Sequence, residues 1–381
     1  MPSSAMPTRP DAFRRRLESL DVTWDNEDPE AEYSVAAEFD DPDRAYWAVR
    51  QQGAGLADRS ERETLVISGE ETVEWLQGLI TGNLLNLIQE GSGLWTPIPN
   101  AKGRMVADAR ILHLPQMLYL DLEPGTLDGG LMAHLRQHII MEDVTLSDRS
   151  EQTARFGLFG PRAAAILDGV GQWKRNPADL DAYQGTWGAI DGREVIVQAN
   201  PTSGESGYDL SFDRSESLPI WDALTEAGGG TLEPLGDETL EILRIEAGIP
   251  RFGVETDDSV IPLEANMGEL IDFDKGCYVG QEIIARLDTL GTPAKKLRTL
   301  IFDGGAAPAP GADIENNDDR NVGTVRSAAW SPLLDAPIAL GYVKRNANEP
   351  GTVLKVEGRE ARVERLGYPL DEGDTPRPTS S

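Results

Sequence analysis

From Gly291 onward the chain changes its period: LRTLIF, GTVRSAA, IALGYV and TVLKVEG are strand-like runs at short spacing, with no helical pattern between them. Strands in such succession must close on themselves or stack as two layers, so residues 291–370 read as a small β-barrel or sandwich. PAPGADIENNDDRNVG, 308–323, reads as a turn-rich acidic separator between them. Upstream the period alternates. LVISGEETVEWLQGLI gives an apolar strand, a Ser68-Gly69 turn and an amphipathic helix, and MLYLDLEPGTLDGGLMAHLRQHII repeats that order. RFGLFGPRAAAIL, REVIVQANP and YDLSF add short strands between helices over residues 153–236. The pattern is α+β. At 381 residues the chain exceeds one ordinary core, so two or three units are expected. Residues 1–32 lack sustained apolar periodicity and read as a mobile tail, as do residues 371–381. RAYWAVRQQGAGLADRS reads as a helix stopped by Gly53 and Gly55.

The charge balance excludes several classes. Acidic residues number 65 against 35 basic ones, a formal charge of -30, and lysine occurs at only seven positions. A charge of this size repels itself in dilute buffer and needs counterions, which points to a salt-rich, halophilic cytoplasm. The same field disfavours nucleic acid. The acids are spread along the chain rather than gathered into a tail, so a dedicated basic partner is the weaker explanation. One cysteine rules out an internal disulfide framework and suits a reducing compartment. No apolar run approaches the ~18 residues of a membrane span. FRRRLESL near the start lacks the apolar segment of an export signal, so the expected location is cytoplasmic.

That cysteine stands in KGCYVGQE, residues 275–282, between two glycines and before the helix-forming QEIIARL. Gly276 and Gly280 permit a tight turn. A helix N-terminus and the Lys275 ammonium would both favour the Cys277 thiolate; the competing reading is a small buried hydrophobe. His134 and His138 lie at i, i+4 on a predicted helix, but the zinc-protease glutamate and a third ligand at diagnostic spacing are missing, so a helix face is the better reading. No GxSxG elbow or P-loop occurs, which removes serine-hydrolase and nucleotide-triphosphatase readings.

KGCYVGQE (Lys275, Gly276, Cys277, Tyr278, Gly280, Gln281 and Glu282 in particular) resembles the signature of the YgfZ-type folate-binding proteins, relatives of the glycine-cleavage T-protein (aminomethyltransferase). In the T-proteins proper the same place reads like KGxFxGRE, without the cysteine and with Arg in place of Gln281. The resemblance runs over residues 56–366. IPNAKGRMVADARI resembles the T-protein segment ending in an acidic pair, of which Asp108 remains and Ala107 replaces the other member. GESGYDL resembles GEDGFEI, LRIEAGIPRFG resembles RLEAGMPLYG, and GTVRSAAWSPLLDAPIALGYV resembles the final barrel. The resemblance implies a T-protein-like multidomain fold: a folate-binding core of two interwoven α/β subdomains over residues 33–290, followed by the C-terminal barrel. It implies tetrahydrofolate as ligand, and iron-sulfur enzymes or a lipoyl carrier protein as partners.

The resemblance also assigns residues. Asp108, before the strand ARILHL, becomes a pterin-side or catalytic acid, a role suited to a carboxylate that accepts paired N–H donors. Glu205, in the turn GESG, becomes a pterin contact. Arg244 becomes a folate-site residue, with Glu246 or a ligand carboxylate as its counter-charge. Glu264, in PLEAN, is structural. Cys277 joins Asp108 as a catalytic candidate, and no metal site is expected. Three functions follow in order: an accessory folate-binding protein for iron-sulfur enzymes acting through Cys277; aminomethyl transfer from a lipoyl carrier to tetrahydrofolate; and a folate-fold scaffold without ligand.

Overall fold

The computed structural model describes residues 9–26, 34–87, 89–289, 291 and 293–367. The expected tail at 371–381 lies outside them.

Two sheets and a barrel organise the chain. The five-stranded sheet runs Gly93–Pro99, Met105–Leu114, Met117–Leu122, Glu63–Ser68, Thr145–Asp148, all antiparallel. The seven-stranded sheet runs Gly171–Trp173, Gly185–Ile190, Arg193–Ala199, Gly207–Asp213, Thr153–Phe159, Ala54–Asp58, Leu232–Pro234, and only its last pair is parallel. The strand Ala54–Asp58 precedes the whole five-stranded sheet in sequence, yet it pairs with Thr153–Phe159, which follows it. The chain therefore leaves one sheet, builds the other and returns. Six strands, Lys295–Phe302, Ala336–Lys344, Asn321–Ser331, Asp313–Glu315, Val353–Val356 and Arg359–Glu364, close the barrel. The α+β architecture with a C-terminal barrel expected from the sequence is the one observed, and the barrel reading prevails over the sandwich.

Strand alternation places the polar residues. On Met105–Leu114, Ala107, Ala109 and Ile111 enter the core under the helix Thr72–Gln77, with Leu76, Ile80 and Leu120. Asp108 and Arg110 face the other way, as successive side chains must, and are nonetheless buried because that face is also covered.

Two expectations need correction. Within the supposed tail 1–32, Asp11–Glu18 is a helix whose Phe13 and Leu17 are buried, with Phe13 5.3 Å from the Phe156 ring and 5.5 Å from Trp221. Two apolar anchors one turn apart suffice to dock a short helix, but they are too few to show as a period. Within the supposed separator 308–323, Asp313–Glu315 is a barrel strand whose Ile314 is buried.

Candidate functional site

The KGCYVGQE loop is fixed at its flanks and open at its centre. All three N–H groups of the Lys275 ammonium go to backbone carbonyls, those of Gln77 at 2.7 Å, Ile80 at 2.9 Å and Gly82 at 2.6 Å. The first caps the end of the helix Thr72–Gln77, whose last carbonyls have no partner within the helix, and the other two hold the turn that follows it. Burial pulls the ammonium down to about 8, with Asp272 opposing. The Asp272 carboxylate accepts from the Lys275 and Asp274 amides at 3.0 and 2.9 Å and from Asn83 at 2.8 Å. Gly280 has φ +81°, and a Cβ there would stand 2.4 Å from the Asn100 carbonyl, so only glycine brings the loop this close to the turn before Met105–Leu114. Tyr278 is buried while Gly276 and Cys277 face solvent. Gln281 and Glu282 open the helix Gln281–Thr289. The buried-hydrophobe reading of Cys277 is therefore overturned, and so is an ammonium reserved for the thiol, because Lys275 spends its donors on the helix end.

Asp108, on the strand Met105–Leu114, is buried. Its Oδ1 accepts from the Trp95 indole at 2.7 Å, and its Oδ2 is buried without a partner among the described residues. Burial pushes the carboxyl up to about 6, against the Trp95 bond and the Arg110 and Arg62 charges. Next to it a dense ion-pair network fills the space between the sheets. Asp121 takes two bonds from Arg62, at 2.7 and 2.9 Å, one from Arg110 at 3.2 Å and one from Arg155. Burial alone would raise Asp121, yet the guanidiniums of Arg155, Arg62 and Arg110 hold it far below the usual carboxylate range. The cavity left between Arg59, Arg62, Arg110 and Arg244 is only about 30 Å³, room for about one water.

Glu205 accepts from Arg50 at 3.1 Å, and its side chain remains 30% exposed. Its turn also carries Thr202, whose hydroxyl accepts from Arg110 at 3.2 Å, so the turn reaches the neighbourhood of Asp108. Arg244 is spent on the protein. Its five N–H donors go to Glu241 at 2.8 and 2.6 Å, Glu255 at 2.9 and 3.1 Å and the Ile249 carbonyl. Its counter-charges are Glu241 and Glu255 instead of Glu246, which binds Tyr46, Arg50 and Ser331. For tetrahydrofolate, then, Asp108 and Glu205 offer carboxylate oxygen to N–H donors, whereas Arg244 offers nothing without breaking a buried ion pair. Glu264 accepts from the Ile261 amide at 3.1 Å, a structural bond.

Among the described residues no contact joins Cys277 to Asp108; one is at the surface and the other is buried. His134 and His138 pack ring to ring at 4.8 Å, His138 Nδ1 meets the His134 carbonyl, and no metal-holding cluster occurs among the described residues. No described helix is long and apolar enough to cross a membrane. A groove of about 860 Å³ opens elsewhere between the sheets, lined by Leu114, Tyr119, Trp187 and Ile196, and holds none of the candidates. Sequence reasoning missed Trp95 and Tyr183; Trp95 stands opposite Arg110 in the strand pairing, a register that only the assembled sheet reveals.

Residues 9–275 match the family model "GCVT N-terminal domain" and residues 295–366 match "Glycine cleavage T-protein C-terminal barrel domain". An aminomethyltransferase of Cutibacterium acnes is 31% identical over 319 residues, covering 82% of this chain and 85% of its own. One from Halothermothrix orenii is 29% identical, covering 83% and 87%. The crystal structure of glycine cleavage system aminomethyltransferase T from Bartonella henselae superposes with a TM-score of 0.80 at 18% identity, covering 94% of this chain and 96% of that one, a likeness of fold.

Proposed function

The chain belongs to the glycine-cleavage T-protein family, and from that premise we propose that it is a YgfZ-type member, a tetrahydrofolate-binding protein that serves iron-sulfur cluster assembly or repair through its KGCYVGQE loop. The observation that carries this reading is the exposed Cys277 thiol on a loop pinned at Lys275 and Gly280. A surface thiol on a fixed base can meet a partner protein's thiol or metal without rearranging the fold. In this reading residues 33–290 form the folate-binding core, with Asp108 and Glu205 receiving the N–H groups of the pterin. When bound, tetrahydrofolate supplies a nucleophilic nitrogen for a one-carbon unit. Asp108 holds the ring edge on its free Oδ2, and its burial keeps competing water away. Ala107 and Gln281, where T-proteins have an acid and an arginine, support a departure from the standard transferase. The charge of -30 supports a halophilic cytoplasm as the setting.

A second reading is aminomethyl transfer from a lipoyl carrier protein to tetrahydrofolate, yielding methylenetetrahydrofolate and ammonia. The relatives speak for it directly, being named aminomethyltransferases, and the buried Asp108 carboxyl suits an amine-handling site. The experiment that separates the two supplies purified protein in molar KCl with tetrahydrofolate and aminomethyl-lipoyl carrier protein, and follows methylenetetrahydrofolate. The first reading expects no turnover from folded protein; sustained turnover establishes the second.

A further inference from the structure

The five-stranded sheet is covered at one edge and open at the other. Along Gly93–Pro99, Pro97 and Pro99 bring no main-chain donor, and the Thr81 amide covers the Pro97 carbonyl at 3.1 Å. Thr145–Asp148, at the far edge, pairs only with Glu63–Ser68. The Arg149 amide donates to the Thr64 carbonyl at 2.8 Å, so the alternation of an antiparallel ladder turns the main-chain groups of Leu146 and Asp148 away from the sheet. Neither proline nor lysine blunts this edge.

The loop leading into it presents two apolar side chains. Ile139 and Val144 pack on the core, whereas Ile140 and Met141 are 81% and 90% exposed. Carboxylates staple the loop in that pose. Glu142 accepts from the Ile140 and Met141 amides at 2.6 and 3.0 Å, Glu71 from the Asp143 amide at 2.6 Å, and Asp143 from the Glu70 amide at 3.2 Å. A single exposed apolar side chain is ordinary; two in succession on a fixed loop beside an open edge form a contact surface. At the other end of the strand Arg149 is exposed and has no carboxylate partner among the described residues. With Gln152 it lines the groove of about 860 Å³ between the sheets.

We infer that this edge is a dimer interface, in which a second copy of the chain lays its own Thr145–Asp148 antiparallel to the first and makes one continuous sheet of the two. The twofold axis of such a pair stands perpendicular to the sheet and keeps each face on its own side, so the register is centred on a single residue. Centred on Ser147, it sets Asp143 against Glu151 of the second copy, a like-charge pair. Centred on Leu146, it pairs the outward main-chain groups of that residue with their own copies and sets Arg149 against Asp143 of the second copy, an attraction that the symmetry repeats. The same register carries Ile140 and Met141 toward the turn at Gln152, where the groove of the second copy begins. Main chain, charge and apolar surface are thus complementary to themselves, which selects a second copy over a foreign strand. This interface stands apart from the folate reading.

The test is sedimentation of the full chain across a concentration series in molar KCl, where the repulsion between two bodies of charge -30 is screened. The wild type is expected to dimerise with a dissociation constant of about 10 µM or tighter. Met141→Glu should weaken the dimer by about tenfold or more, and Arg149→Asp, which faces Asp143 of the second copy with a like charge, should do the same. Combining Arg149→Asp with Asp143→Arg exchanges the two charges and should restore the dimer, which a merely misfolded variant would not. A wild type that stays monomeric at ~100 µM overturns the inference and leaves the edge to a strand of another protein. A dimer as tight in Met141→Glu and Arg149→Asp as in the wild type overturns it as well, because the contact then lies on another face.

Discussion

Replacing Asp108 by asparagine should make this protein more stable at neutral pH. Folding carries the Asp108 carboxyl from its ordinary value of 3.8 up to about 6, so the folded state binds the proton more tightly than the unfolded one. The sign follows: the favourable contribution is complete below 3.8 and is lost as pH rises through 6. At 1.36 kcal/mol per pH unit the gap corresponds to about 3 kcal/mol of cost at pH 7.5. Asparagine keeps an oxygen for the Trp95 indole and removes the buried charge. Its amide N–H2 needs an acceptor, a loss of about 1 kcal/mol, which leaves a net gain of roughly 2 kcal/mol. Urea unfolding of wild type and Asp108→Asn at pH 7.5 and 4.5 measures it. The gain should be present at 7.5 and absent at 4.5. A variant destabilised at 7.5, or stabilised equally at both values, refutes the placement of Asp108 as a buried, half-satisfied carboxylate. Stability gained by removing a group is the mark of one retained for function.

Other variants probe the loop and the ion pairs. Lys275→Met leaves three backbone carbonyls without their donor and should cost about 2–4 kcal/mol in urea unfolding, whereas Cys277→Ser, at an exposed position, should stay within about 0.5 kcal/mol of wild type. Gly280→Ala forces a Cβ against the Asn100 carbonyl in a left-handed conformation and should cost about 2 kcal/mol or more; a change in the rate at which a thiol reagent labels Cys277 would report the displaced loop. Arg244→Met strips Glu255 of its partner and should cost about 3–5 kcal/mol, while the folate affinity of the molecules that remain folded is unchanged, measured by calorimetry. Raising KCl from about 0.1 M to about 1 M shortens the screening length from about 10 Å to about 3 Å, so the thermal midpoint should climb over that range.

The architecture was legible where period and motif agreed. The helix-free run after Gly291 announced the barrel, and strand-turn-helix repeats announced the sheets. Asp313–Glu315 escaped because three residues amid turn formers carry no alternation, and Asp11–Glu18 because two anchors, Phe13 and Leu17, make no sustained period. At the site, the sequence named Asp108, Glu205, Arg244 and Cys277 as candidates and expected Arg244 to be buried, but it offered Glu246 as counter-charge where Glu241 and Glu255 serve, since a helix pattern indicates burial without saying which carboxylates complete it. Glu255, the partner that fixes its role, lies eleven residues on, in an irregular segment. Tyr183 was invisible for a different reason: a positive φ is a property of the assembled backbone, and nothing in DAYQGTW marks it.

The measurement that bears most directly on the central claim is the activity of iron-sulfur enzymes in cells whose own copy of this protein is replaced by Cys277→Ala at equal abundance. The expected result is a fall in those activities, in the alanine cells as in cells lacking the protein, while the folded protein still binds 5-formyltetrahydrofolate. Full iron-sulfur enzyme activity with alanine at position 277 contradicts it and leaves aminomethyl transfer as the standing function.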